Sequence, residues 1–489
     1  MGIVIKQSAR NLILTYIGFA IGAVNTLFLY TNFLSAAYFG LIGFLLSAAN
    51  ILMPFLSFGI HNTIVKFYSS YENEEEKHRF ITTSLLMPLL LIIPVALIGF
   101  VGYDEISSFL SSKNDIVEDY VWYIFFLAIA MAYFEIFFAL AKVKYRTVYG
   151  NFLKEVFHRA LIAVLLFGVY LNWLSVPHFV AAMTLVYILR GLLMLLAIWR
   201  NGDLSLSFAL PPDFKRVVKY AFLIIVAGSV AVVLLDIDKV MLGKFKSIEN
   251  IAYYNVAVFI AVVIAVPARA LHQITYPLTS TLMNQGKMDE LSDLYKRSSI
   301  NLLIVSGLVF LLILGNIKEL YALIPEQYAG GIPVVFLIAL AKLSDNLLGI
   351  NNAIIFNSNY YRMVLFFGVL LAILTVILNI IFIPVWGIEG AAFATLLAFL
   401  IYNISKIIFV KTKLKMQPFT KNTLKTFLLL GALLPAFYFM SLPFLPVISI
   451  MIKSAAMAAF YGVAVIWLNL SEDIHGLFLK YVKRKGPRL

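Results

Sequence analysis

Fourteen windows of 19–25 mostly apolar residues follow one another along this chain, and no connector between them exceeds 23 residues. Each window is long enough to cross a hydrocarbon core of about 30 Å as a helix rising 1.5 Å per residue. Inside that core only a helix or a closed barrel satisfies its own backbone hydrogen bonds, and windows of this length suit helices. The windows fall at 11–32, 38–60, 80–102, 120–141, 155–173, 178–199, 217–240, 251–275, 299–317, 332–350, 362–383, 389–410, 422–442 and 447–469. Composition agrees: 13% of residues are charged, about half the share of a soluble domain. The 41 Phe and 26 Tyr exclude a disordered chain. With no cysteine, disulfides, thiolate metal sites and cysteine nucleophiles are excluded together. The first apolar run, behind Lys6 and Arg10, is longer than a signal core and reads as the first span. The expected fold is therefore an all-α polytopic membrane protein with fourteen transmembrane helices.

The net charge of +13 is distributed by topology and does not indicate nucleic acid. Connectors alternate between two sides. The set holding both termini and 61–79, 142–154, 200–216, 276–298, 351–361 and 411–421 carries 24 Lys and Arg. The opposite set carries four, Lys113, Lys244, Lys246 and Lys318, and ten more lie within windows. Positive residues are retained on the cytoplasmic side, so both termini are expected there. The acidic run Glu72, Glu74, Glu75, Glu76 before Lys77 reads as a solvated cytoplasmic loop. No connector is large enough for a soluble catalytic domain, no Gly-rich phosphate loop with its Lys is present, and the six histidines lack metal spacing. An enzyme is not expected.

A weak duplication runs through the first twelve windows. Arg10–Leu14 matches Lys219–Leu223 at an offset of 209, Phe33-x-Ser35 matches Phe245-x-Ser247 at 212, Pro54 matches Pro267 at 213, and Ala181-Ala182 matches Ala391-Ala392 at 210. A near-constant offset that carries window n onto window n + 6 describes two copies of the same orientation, a parallel repeat about an axis along the membrane normal. The expected domains are 1–205 (spans 1–6), 206–415 (spans 7–12) and 416–489 (spans 13–14 and a basic tail).

Two segments then carry a resemblance. Asp236-Ile237-Asp238-Lys239-Val240-Met241-Leu242-Gly243-Lys244-Phe245, followed by Tyr253-Tyr254, resembles the D-x-x-M-L-G-x-F signature of the polysaccharide-transport branch of the multidrug/oligosaccharidyl-lipid/polysaccharide exporter superfamily. Pro384-Val385-Trp386-Gly387-Ile388-Glu389-Gly390-Ala391-Ala392 is similar to that branch's P-x-x-G-I-x-G-A-A. The usual Gly before the aromatic in span eight is replaced around Ala252. The resemblance covers essentially the whole chain and implies two six-helix lobes that rock about a central cavity.

Charges inside spans are the candidate site, since an ionisable group at mid-bilayer costs about 2.5–3.5 kcal/mol on insertion scales. Lys219, Arg362, Lys406 and Lys425 lie near span ends and are expected to snorkel; Lys453 is ambiguous. Arg190, thirteen residues into span six, is too deep to snorkel: it either pairs with an acid such as Glu135 or faces a wet cavity. Lys342 and Asp345 share a face of span ten, as either a neutral structural pair or a charge site. Arg269 follows a likely kink at Pro267, and Arg159 lies five residues into span five. By resemblance, Arg190, Arg269 and Lys342 lie on cleft-lining spans, where cations suit the pyrophosphate of a lipid carrier.

Without an ATP motif, uphill transport needs an ion gradient, Na+ or H+, and a carboxylate that alternates between ion-bound and ion-free states. Asp236, Asp238 and Asp345 are the candidates, with Glu135 in the first lobe. The resemblance implies that Asn379 and Thr395 complete a sodium site with Asp236 or Asp238; the alternative is that Asp236 only neutralises Lys239 one turn away. The expected function is a flippase moving a polyprenyl-pyrophosphate-linked oligosaccharide to the outer leaflet of a bacterial inner membrane. Its expected partners are that glycan, membrane lipids and other polysaccharide-assembly membrane proteins. An exporter of small organic cations and a lipid II flippase remain alternatives. The third class, a membrane glycan polymerase or transferase, would need a large outer loop that this chain lacks.

Overall fold

The computed structural model describes residues 2–144, 146–202 and 207–476. The expected domain boundary at 205/206 and the basic tail 477–489 fall outside the described residues. Among the described residues there are helices and turns and no strand. By contacts the chain divides into two compact units, Met1–Asn255 and Val256–Leu489.

The first unit contains α1 (Gly2–Val24), α2 (Ala36–Leu56), α3 (Glu74–Leu86), α4 (Leu89–Val101), α5 (Val121–Val143), α6 (His158–Tyr170), α7 (Val176–Arg200) and α8 (Phe214–Phe245). Helix α9 (Glu249–Val262) crosses the division. The second unit continues with α10 (Val266–Asn284), α11 (Met288–Gly315), α12 (Ile332–Asn346), α13 (Arg362–Leu414), α14 (Lys421–Tyr438) and α15 (Pro446–Trp467). Among the described residues ten helical stretches are long and apolar enough to cross a membrane. One of them, α13, is 53 residues long and supplies two of the expected spans. It breaks at Gly387, whose φ of 61° and ψ of −127° suit glycine, just after Pro384. The windows at 155–173, 217–240 and 422–442 correspond to α6, α8 and α14. All fourteen windows are helical. This is a multi-pass membrane protein.

Local chemistry explains several helix ends. The Ser35 side chain accepts from the Tyr38 amide and caps α2. Helix α2 ends at Leu56, soon after Pro54, where Phe58 and Gly59 take φ of 52° and 64°. A Cβ on Gly59 would stand 2.6 Å from the Ala221 carbonyl oxygen of α8, so this corner needs both the glycine conformation and its lack of a side chain. The acidic run differs from the expected loop: Asn73 caps α3, and Glu74, Glu75 and Glu76 form its first turn, where carboxylates complement the helix dipole. Glu74 pairs with Lys77 and Glu75 with Arg79, both at the surface.

Two π-helical segments lie inside the first unit. Asn25–Leu29 continues α1, and Leu153–Phe157 leads into α6. The Asn25 side-chain amide donates to the Arg159 carbonyl at 2.9 Å. Such wide turns free backbone groups and are common beside functional sites. Each unit has its own aromatic-rich core, around Phe80, Phe134 and Phe138 in the first and Tyr295, Ile354 and Phe367 in the second.

Candidate functional site

In the first unit, Arg190 on α7 is buried at 7% exposure. Its guanidinium lies over two rings, 4.3 Å from the centroid of Phe134 on α5 and 4.8 Å from Tyr187 one turn back. The face of an aromatic ring attracts a cation by its quadrupole, most strongly when both are desolvated. Its Nε has no hydrogen-bond partner, and among the described residues no carboxylate forms an ion pair with it. Glu135, the acid expected near it, is paired with Lys154 and, at 3.9 Å, with Lys142. His158 stacks obliquely against Tyr187 at 5.5 Å, with its Nδ1 buried and unpartnered. Arg159 pairs with Glu155 at 3.3 Å.

The signature segment of α8 places Asp236 against α2. Ser47 Oγ donates to one carboxylate oxygen at 2.9 Å, Asn50 Nδ2 to the other at 3.2 Å, and Lys239 Nζ to the first at 3.1 Å. Both oxygens are engaged by donors. Asp238, one residue beyond the intervening Ile237, accepts from the Tyr254 hydroxyl at 2.7 Å, which gives the Tyr253-Tyr254 pair a contact of its own. Ser47 and Asn50 were not singled out from sequence. Their signal was two polar side chains three apart within an apolar span, which places them on one helix face.

In the second unit, Lys342 on α12 lies over the Phe399 ring at 4.5 Å, and Arg269 on α10 is exposed. Asn346, next to half-buried Asp345, donates to the Ile264 carbonyl or Ser306 Oγ, each at 2.7 Å. Asn379 and Thr395 are buried on the two halves of α13. Lys406, expected to snorkel, is instead 1% exposed: its Nζ stands over Tyr402 at 4.3 Å and has no hydrogen-bond partner. Helix α13 packs on α12, and the Lys406 side chain is enclosed within the protein. Asp345 is the carboxylate whose charge acts on both Lys406 and His272. His272 has a buried, unpartnered Nδ1 and meets Tyr276 edge-on at 5.7 Å. Lys453 is buried equally deeply and pairs with Glu319 at 2.9 Å.

These are features of binding and charge exchange: cations on aromatic faces and carboxylates held by exchangeable donors. A model of the polysaccharide biosynthesis protein family matches residues 4–283. The chain belongs to this family. The probable flippase AglR of Haloferax volcanii is 28% identical over 177 residues, 34% of this chain, and the match spans 36% of that relative's length. Among solved structures, lipid II flippase MurJ in its inward closed conformation superposes with a TM-score of 0.72 at 14% identity, covering 95% of this chain and 99% of that one. An inward-facing multidrug resistance MATE family transporter of the MOP superfamily gives 0.62 at 12% identity, covering 87% and 98%. At those identities the likeness shows the fold, that of the two-lobe transporters of the exporter superfamily to which the signature segments pointed. Family members and structural neighbours are transporters and flippases rather than enzymes.

Proposed function

We propose that the protein is a flippase that moves a polyprenyl-pyrophosphate-linked oligosaccharide from the cytoplasmic to the outer leaflet of a bacterial inner membrane, with both termini cytoplasmic. The observation that carries this reading is membership of the polysaccharide biosynthesis family over residues 4–283. The interior charges support it. Arg190 and Lys406 are buried without an ion pair among the described residues, and an interior supplied with cations suits a phosphate-bearing cargo better than a cationic drug. Arg190, Lys342 and Arg269 are the cations assigned to the pyrophosphate in this reading; Arg159 pairs with Glu155.

Coupling to an ion gradient is part of the same proposal. The groups around Asp236 are a hydroxyl, an amide and an ammonium, all donating to it. A proton can be taken up there by releasing Lys239, whereas Na+ would have to displace the Lys239 ammonium and turn the Ser47 and Asn50 oxygens toward it. Protons are therefore the ion this carboxylate suits. Asp238, Asp345 and Glu135 are the other candidate carboxylates in spans, and Asn379 and Thr395 are two of the oxygen-bearing side chains buried on α13.

The test is in cells. Depleting the protein should trap the polyprenyl-linked oligosaccharide on the cytoplasmic leaflet, protected from an external glycosidase. Normal surface delivery of the glycan in its absence would refute the reading.

A further inference from the structure

Three polar atoms of the second unit are buried without a hydrogen-bond partner near the same ends of their spans: His272 Nδ1 on α10, and Asn403 Oδ1 and Lys406 Nζ on α13. Asp345 on α12 belongs with them, because the neighbouring Ser344 Oγ accepts from Asn403 Nδ2 at 3.1 Å and fastens α12 to α13 there. The windows that hold His272, Asp345 and Lys406 end within five residues of them, at 275, 350 and 410. They run into the connectors 276–298, 351–361 and 411–421, all on the side rich in Lys and Arg. Lys406 has no hydrogen bond to Asp345, yet the charge of Asp345 acts on it, on His272 and Tyr276 of α10, and on Tyr402 of α13. The charges that act on His272 are those of Asp345 and Lys406. Arg269, one turn before His272, is exposed, and Lys342, one turn before Asp345, lies over Phe399.

Ionisable groups in a span are costly to keep, and buried ones with unused hydrogen-bonding capacity mark a site. The charge balance here narrows the ligand. A metal cation would meet the Lys406 ammonium, and an inorganic anion would meet the Asp345 carboxylate. Lys406 and Asp345 together are neutral. Imidazole is the side chain whose charge changes near neutral pH, and a proton on it would find its counter-charge in Asp345.

We propose that His272 is a proton-binding site of the second unit, with Asp345 as its counter-charge and Lys406 as the competing cation, exchanging its proton on the basic side. On uptake an N–H bond forms at a ring nitrogen and the imidazole gains one positive charge. On release that bond breaks and the imidazole returns to neutral, with no other bond changed. His272 and Asp345 are half-buried while Lys406 and Asn403 are enclosed, so exchange with solvent runs through the first two. That a coupled proton leaves the transporter here rests on the gradient-driven reading above; proton binding at His272 does not.

Deuterium exchange at the imidazole C2 position, read by mass spectrometry of the full-length protein in detergent, gives a titration for each histidine separately and needs no cargo. His272 should titrate between about pH 5 and about pH 9. Asp345→Asn should move its midpoint down by about one pH unit, and Lys406→Met should move it up, as expected for removing an opposite and a like charge. His178, on α7 of the first unit, should titrate unchanged in both variants, and melting curves should confirm that both are folded. No titration at His272, a midpoint that neither variant moves, or an equal shift at His178 would overturn the proposal. In proteoliposomes the ratio of gradient-driven to gradient-free translocation should fall to about one in His272→Gln; an unchanged ratio would overturn the assignment of proton release to this site. Failure of the unmodified chain to move the glycan would refute the transport reading and leave the titrations to decide this one.

Discussion

Lys453 on α15 and Lys406 on α13 are the same residue type at the same 1% exposure, yet they are treated in opposite ways. Lys453 meets Glu319 at 2.9 Å, whereas Lys406 has an aromatic face and no hydrogen bond. Removing an ammonium from water costs several kcal/mol, and a close carboxylate offsets much of that. The first arrangement is what a stable helix bundle needs. The second leaves a charge that stability alone would not retain, with the charge of Asp345 acting on it. The first unit draws the same contrast between Glu135, closed by two lysines, and Arg190, which rests on rings.

The contrast is broken most readily at Glu319. Glu319→Gln strands a buried ammonium and should cost about 3–5 kcal/mol, the usual penalty for removing one partner of a buried pair, read as a loss of melting temperature in detergent. Lys406→Met should leave the melting temperature unchanged or higher while impairing transport. If Lys406→Met destabilised the protein as much as Glu319→Gln, the two lysines would be playing the same structural part.

A smaller effect is expected at Asp236. Asp236→Ala removes the acceptor of Ser47, Asn50 and Lys239 and should cost about 2–3 kcal/mol, and adding Lys239→Met should recover about half, since contacting groups are not additive. An Asp236→Asn, Lys239→Met double variant that folds normally and still transports in proportion to the proton gradient would remove this carboxylate from the coupling machinery.

How far these features were legible from sequence differs by kind. Span lengths, the break at Pro384–Gly387 and the depth of Arg190 follow from apolar windows and helix rise. The partners of Asp236 were not readable, because Ser47 and Asn50 approach from 189 and 186 residues away and only helix packing brings them there. Lys406 was misjudged because distance to a span end says nothing about which face of the helix is covered. The compact units also divide at Asn255/Val256: α8 belongs to the first because it packs along α2, a contact to which the duplication, whose second copy starts at 206, is blind.

Gly59 sharpens the packing side of the account. Gly59→Ala must hold φ near 64° with a Cβ 2.6 Å from a carbonyl oxygen, and should cost about 1–2 kcal/mol. The smallest effect lies outside the spans, where the Tyr71 hydroxyl donates to Asp213. Burial first, and then that carboxylate, hold the Tyr71 pKa above its ordinary value. A raised folded value means that the contribution is complete below the unfolded pKa of about 10 and is lost as pH rises past it. Tyr71→Phe should cost about 1 kcal/mol at neutral pH and flatten the fall in melting temperature above about pH 10.

Translocation by the purified full-length protein in proteoliposomes, loaded with a labelled polyprenyl-pyrophosphate oligosaccharide and read by its accessibility to an added glycosidase, tests the central claim most directly. The account predicts movement between leaflets well above protein-free vesicles, faster with an imposed proton gradient, and lost in Arg190→Ala and reduced in Arg190→Lys protein of normal abundance, because Lys offers a point charge where Arg offers a planar fork. Vesicles that export a cationic dye while leaving the lipid-linked glycan in place, or full translocation by Arg190→Ala, would contradict it.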